Sequence, residues 1–216
     1  LDAGTGMFRV GPRLATDELD IFISHAHLDH ITGLTFLHDV FIGRDMQRVT
    51  IHGAAEKLAA VREHLFANPL FPVEPPWEFR PLEGPVLLAE GGRLTHFPLE
   101  HPGGATGFRL DWPNASLAYV TDTTAMPDAD YLRHIRGVDL LVHECYFPDS
   151  MADWARTTGH SFTTPVAELA KKSGAGRLLL VHVTPLGPEP DAIDLKTARA
   201  IFPETEIATD LLEVEF

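Results

Sequence analysis

Leu19-Asp20-Ile21-Phe22-Ile23-Ser24-His25-Ala26-His27-Leu28-Asp29-His30 is the stretch on which the reading of this chain turns. Its first six residues form an apolar run that predicts a short buried strand. Four metal-capable side chains follow within six positions, and Ile31-Thr32-Gly33-Leu34 then opens a helix. The ligands therefore fall at a strand's C-terminal end. Imidazoles and carboxylates suit zinc-like divalent ions. The i, i+2 spacing lets His25 and His27 reach one ion from an extended loop. Asp29 and His30 turn the other way and can serve a second. A solvated His-rich loop is the plainer reading, but such a loop needs no partners elsewhere.

Partners follow in order. His101 comes after Phe97-Pro98-Leu99-Glu100 and before Pro102-Gly103-Gly104; Asp122 ends Leu117-Ala118-Tyr119-Val120-Thr121; His182 ends Arg177-Leu178-Leu179-Leu180-Val181. Each is a predicted strand tip. Taken singly, a His after a strand is more often structural than a ligand. If these strands are neighbours, however, the ligands converge at one sheet edge, and the ordered set carries more weight than its members.

These segments resemble the metallo-β-lactamase-fold hydrolases, and more narrowly their ribonuclease Z and phosphodiesterase branch. Leu1-Asp2-Ala3-Gly4-Thr5-Gly6 resembles the strand-turn before the metal motif, and His25 to His30 is its His-x-His-x-Asp-His motif. Val142-His143-Glu144-Cys145-Tyr146-Phe147 is similar to the branch's His-Glu-Ala-Thr-Phe segment, and Gly159-His160-Ser161 to its Gly-His-Ser-Thr segment. The resemblance implies an α/β fold, a four-layer αββα sandwich, with the family's N-terminal strands missing before Leu1. It implies one metal held by His25, His27 and His101, a second by Asp29, His30 and His182, and Asp122 bridging both. Two divalent ions are expected, zinc first, with manganese or iron as alternatives because His/Asp sites discriminate weakly. Asp29, Glu144 and His160 are the expected catalytic residues. Glu144 would orient His160 so that its imidazolium donates a proton.

The chain of 216 residues is long enough for one core, and one domain over 1–216 is the simplest count. No apolar run approaches the roughly 20 residues that span a bilayer. The single Cys145 permits no intrachain disulfide and favours a reducing, cytoplasmic location with a buried thiol. The formal charge is −14 and no Lys/Arg cluster stands out, so nucleic acid is a less expected partner than a small molecule, and a homodimer stays open.

The remaining pattern alternates. Strands are expected at Val49-Ile51, Val86-Ala89, Arg93-Pro98, Thr106-Asp111, Val138-His143 and Leu211-Phe216; helices at Ala54-Ala67, Asp128-Ile135, Thr163-Lys172 and Asp191-Ile201. Asn68 to Pro85 reads as a loop, in which Trp77 and Phe79 either pack in the core or wall the site.

Within the branch, two departures matter. His101 and Asp122 are only 21 positions apart, which leaves no room for the tRNA-clamping arm of ribonuclease Z. Val183-Thr184-Pro185-Leu186 stands where the family has Ser-Pro-Arg-Tyr, so an expected arginine is absent. The expectation is therefore a dinuclear phosphodiesterase acting on a small phosphodiester such as a cyclic nucleotide or cyclic phosphate. The alternatives are a ribonuclease Z-like tRNA 3′-processing endonuclease, a lactone or thioester hydrolase of the same fold, and a non-catalytic metal-binding module.

Overall fold

Three short stretches rich in β-branched and aromatic residues form a parallel sheet in the first part of the chain. They are β1 (Glu18–Phe22), β2 (Arg48–Gly53) and β3 (Glu78–Pro81), in the order β1-β2-β3. The structure, a computed structural model, describes residues 1–73, 75–185 and 191–216. It comprises two compact units, Leu1–Glu83 and Gly84–Phe216.

In the first unit, Ile21, Val49 and Ile51 enter a core with Ile23, Leu34 and Leu37, the last from helix α2 (Leu37–Val40). The opposite face is polar: Asp20 accepts from Arg48 and from buried His52. Helix α1 (Leu28–Ile31) begins inside the metal-capable motif. The expected helix at Ala54-Ala67 is α3 (Ala55–Ala60) followed by a π turn over Val61–Leu65. The wider turn brings Val61 and Phe66, five apart, to one buried face. Trp77 is buried against Phe66 and His38, so core packing is its role.

The second unit is built on seven strands: β4 (Val86–Leu87), β5 (Arg93–Leu99), β6 (Ala105–Asp111), β7 (Ser116–Val120), β8 (Leu140–Glu144), β9 (Arg177–Val181) and β10 (Thr205–Ile207). Their spatial order is β10-β9-β8-β7-β6-β5-β4. β4 to β7 are antiparallel; β7 to β10 are parallel. Three helices, α4 (Ala152–Thr158), α5 (Thr163–Ser173) and α6 (Leu195–Ile201), lie between the parallel strands in sequence. The α5 residues Val166, Leu169 and Ala170 share a core with Val120, Leu141 and Leu178. Because β6 runs against both its neighbours, β5 and β7 run the same way. The C-terminal ends of β5, β7, β8 and β9 therefore share one sheet edge, where α/β proteins place their sites.

Several expected elements differ. The final strand is Thr205–Ile207, paired with Leu178 to Leu180, and Leu211-Phe216 is not a strand; Leu211 itself has φ 63°. Asp128-Ile135 makes only a 3-10 turn at Asp130–Arg133. Beyond it, Arg109 donates to the carbonyls of His134 and Arg136, holding them outside a helical ladder. The strand at Val86-Ala89 stops at Leu87, since Glu90 and Gly91 turn through φ 58° and 77°. Leu1-Gly6 is not strand, because Asp2 sits at φ 53° and a 3-10 helix starts at Thr5. Cys145 is buried, and burial pushes its thiol well up. No helix among the described residues is long and apolar enough to cross a membrane.

Candidate metal and catalytic site

In the first unit, Asp2 organises the motif that follows β1. Ser24 donates its backbone N–H to Asp2 Oδ1 and its hydroxyl to Oδ2, both at 2.7 Å. With its proton so used, Ser24 Oγ accepts from His25 Nδ1 at 3.0 Å. His30 Nδ1 donates to Asp2 Oδ2 at 2.9 Å. Both imidazoles thus carry their proton on Nδ1 and their lone pair on Nε2, as metal-binding histidines do when the second nitrogen is held by an acceptor. The His25 ring centroid is 4.5 Å from that of His27 and 4.2 Å from that of His30. Asp29 is exposed, with Oδ2 3.4 Å from His30 Nε2. Burial alone would raise the Asp2 carboxyl, but hydrogen bonds from His30 and Ser24 outweigh it and hold the group below the usual range. The close approach needs glycine at 33: a Cβ there would lie 2.1 Å from the Gly4 carbonyl oxygen.

In the second unit, the shared strand edge gathers His101, Asp122, Glu144 and His182, with His160 beside them. His101 Nδ1 donates to the Gly159 carbonyl at 2.9 Å, which again leaves the lone pair on Nε2. That Nε2 is 3.7 Å from Asp122 Oδ2, and His182 Nδ1 is 3.7 Å from Asp122 Oδ1. These separations exceed a hydrogen bond. They approach the roughly 3.4 Å between two ligand atoms of one tetrahedral zinc ion. The two Asp122 oxygens face two different imidazoles, as a bridging carboxylate requires. The donor set in both units, nitrogen plus carboxylate, fits divalent ions of the zinc type. His182 adopts φ 53°, a strained backbone that places its ring at the edge.

Glu144 and His160 lie beside these side chains, their donor atoms within 4.8 Å of one another and of His182's. Fully buried Glu144 uses Oε1 to accept from Thr123 N–H at 3.0 Å, Ser161 N–H at 3.1 Å and His160 Nδ1 at 3.2 Å. Its Oε2 accepts from Tyr146 N–H at 3.1 Å. Oxygens so occupied hold the Thr123, Tyr146 and Ser161 backbone and the His160 ring in place. Burial pushes the carboxyl well above the usual range, against the backbone donors of Thr123 and Ser161. Ser161 Oγ also donates to Thr123 O and accepts from Ala125 N–H, so the loop after Asp122 is pinned from both sides.

The motif reading did not assign Asp2, Ser24, Gly159 or Ser161. Their signals were present as neighbours of assigned residues, but only the fold shows which atoms they hold. In the last-ligand segment, Val183 to Pro185 are described and Leu186 lies outside the described residues.

Residues 1–183 match the family model described as the Beta-lactamase superfamily domain. Ribonuclease BN of Escherichia coli (strain K12) is 29% identical, over 88% of this chain and 79% of its own length. A diphosphatase from the PhnP family is similar in structure with a TM-score of 0.73 and 24% identity, over 100% of this chain and 78% of its own. Zn(2+)-bound PqqB from Methylobacterium extorquens gives 0.72 and 17%, over 100% and 82%. At these identities, the two structures speak for the fold alone.

Proposed function

This chain belongs to the β-lactamase superfamily and has the metallo-β-lactamase fold, and on that premise we propose that residues 1–216 act as one dinuclear phosphodiesterase domain. His25, His27 and His101 would hold one ion, Asp29, His30 and His182 the other, and Asp122 both. The observation that carries the reading is the tautomer control: His25, His30 and His101 each have Nδ1 tied to a protein acceptor. Zinc fits this set best, with manganese or iron as alternatives. When bound, two such ions supply Lewis acidity and a water reactive near neutral pH.

The residues divide the proton work. Asp29 accepts the proton of the attacking water, whose oxygen forms the new bond to phosphorus. The bond to the leaving oxygen breaks with its electron pair, and His160 delivers a proton to that oxygen from Nε2. Glu144 holds Nδ1 and so fixes which nitrogen faces the substrate. A lactone or thioester leaves with less need of an acid, so the Glu144–His160 pair favours phosphodiesters.

Substrate size follows from the short interval between His101 and Asp122. A turn, β6, a second turn and β7 consume it, so nothing protrudes there to clamp a large nucleic acid. A small phosphodiester, such as a cyclic nucleotide or cyclic phosphate, fits this and the −14 charge. The likeness to Ribonuclease BN favours a second reading, RNA cleavage. Metal-loaded protein should hydrolyse bis(p-nitrophenyl) phosphate and 2′,3′-cyclic nucleotides faster than it trims pre-tRNA. Accurate pre-tRNA trimming without action on small diesters would establish the second reading instead. Full metal content with no turnover of any of them would leave a binding module.

A further inference from the structure

The geometry points to Tyr146 as the positioning residue for His160. The inference rests on the acid role proposed for His160 and adds how that ring is held. The hydrogen bond from Nδ1 to Glu144 Oε1 at 3.2 Å fixes one point of the imidazole and does not by itself set the plane of the ring. A second, planar constraint is needed to fix where Nε2 points. Tyr146 supplies it: its ring lies against His160 with centroids 4.8 Å apart and planes 24° from parallel. His182 lies nearly parallel to His160, at 5.6 Å and 20°, while Phe147 and His101 meet it edge-on. Any swivel of His160 would drive its edge into the Tyr146 face.

Tyr146 is itself held by the pair it serves. Its N–H donates to Glu144 Oε2, and its carbonyl accepts from Thr184 N–H at 3.1 Å. Glu144 therefore sets one point of the imidazole directly and its plane indirectly, through the residue two positions on. Tyr146 stands where the similar branch segment carries threonine, so this stacking surface is a property of this chain's own sequence. The ring, not the hydroxyl, is what the stack requires.

Two variants and one spectroscopic reading test the inference. Tyr146→Phe keeps the ring and should behave as the wild type. Tyr146→Leu should lose about 10- to 100-fold in kcat on a 2′,3′-cyclic nucleotide, whose leaving group is an alkoxide, as expected for a displaced catalytic group. It should change little on bis(p-nitrophenyl) phosphate, whose leaving group departs without a proton, and should keep its metal content. In metal-free protein, the carbon-bound ring protons of His160, identified by their loss in His160→Ala, should be shifted upfield by the Tyr146 ring current and return downfield in Tyr146→Leu. A Tyr146→Leu enzyme with wild-type discrimination between the two substrates overturns the inference. So does a Tyr146→Phe enzyme as impaired as Tyr146→Leu. Should Tyr146→Leu not fold, the wild-type spectrum decides: an unshifted His160 means no stack. His160→Ala separates the two readings. If it too shows no leaving-group dependence, the acid role fails; if it shows that dependence and Tyr146→Leu does not, only the positioning role fails.

Discussion

The two units hold their metal-capable side chains by different means. In the first unit, one buried carboxylate, Asp2, sets His30 directly and His25 through Ser24. In the second, main-chain groups predominate: the Gly159 carbonyl sets His101, and the N–H groups of Thr123, Ser161 and Tyr146 converge on Glu144. The first arrangement concentrates its dependence in a single ionised side chain. The second spreads it over backbone that the sheet and α4 already fix. Sensitivity to mutation and to acid should differ accordingly.

The largest effect should follow Asp2→Ala. Removing the carboxylate leaves the donors of Ser24 and His30 without their acceptor, which costs about 1–3 kcal/mol for each buried group left unsatisfied. Loss of the group that orients ligating histidines costs about 10- to 100-fold in metal affinity. Both are measurable, by denaturant unfolding and by competition with a chelator. Asp2→Ala with unchanged metal affinity would erase the contrast, because the first unit would then not depend on that carboxylate.

Acid should reveal the second unit sooner than the first. His143 is buried, donates from Nδ1 to the Glu144 carbonyl and accepts at Nε2 from Tyr131. Burial pushes its pKa down to about 4 from 6.5. The unfolded chain takes up a proton below pH 6.5 and the folded chain does not. The contribution of neutral His143 is therefore full above pH 6.5 and lost as pH falls toward 4, by about 3 kcal/mol over that window. Asp2, whose folded pKa is depressed, contributes fully above the ordinary carboxylate value of 3.8 and loses its share only as pH falls through its lower folded value. His143→Gln retains a donor and an acceptor but cannot titrate. Its stability gap from the wild type should shrink between pH 7 and pH 4, in urea unfolding of metal-free protein; a constant gap would show that His143 does not titrate as described.

A smaller and sharper comparison uses two glycines. Gly159 and Gly174 both end helices in the left-handed region, at φ 77° and 71°. Alanine at either costs about 1–2 kcal/mol for the left-handed backbone alone. At Gly159 the added Cβ would also lie 2.5 Å from Pro102 Cδ and 3.2 Å from His101 Nδ1; at Gly174 it meets nothing within 4 Å. Gly159→Ala should lower metal affinity and Gly174→Ala should not. Equal affinities in the two variants would mean that the Gly159 carbonyl does not position His101.

The same contrast explains what the sequence made legible. His25, His27, Asp29 and His30 are contiguous and follow an apolar strand, so composition and spacing announce them. His101, Asp122 and His182 are scattered, and their strand-tip positions acquire meaning only once β5, β7 and β9 are shown to end at one edge. The groups that hold them are harder still. A carbonyl such as that of Gly159 has no sequence signature, and Asp2 shows itself only through a left-handed backbone that brings its oxygens to Ser24 and His30. The misplaced last strand has a similar cause: Leu211-Phe216 has an apolar pattern, but the ladder beside β9 is filled by Thr205–Ile207.

The central proposal is that the metal-capable side chains of both units would hold two ions that share Asp122. Elemental analysis of zinc-loaded, desalted protein tests it most directly, run beside Asp122→Ala. The account predicts close to two metals per chain in the wild type and a fall to one or fewer in the variant. A wild-type value reproducibly below one, with the chain folded, would contradict it.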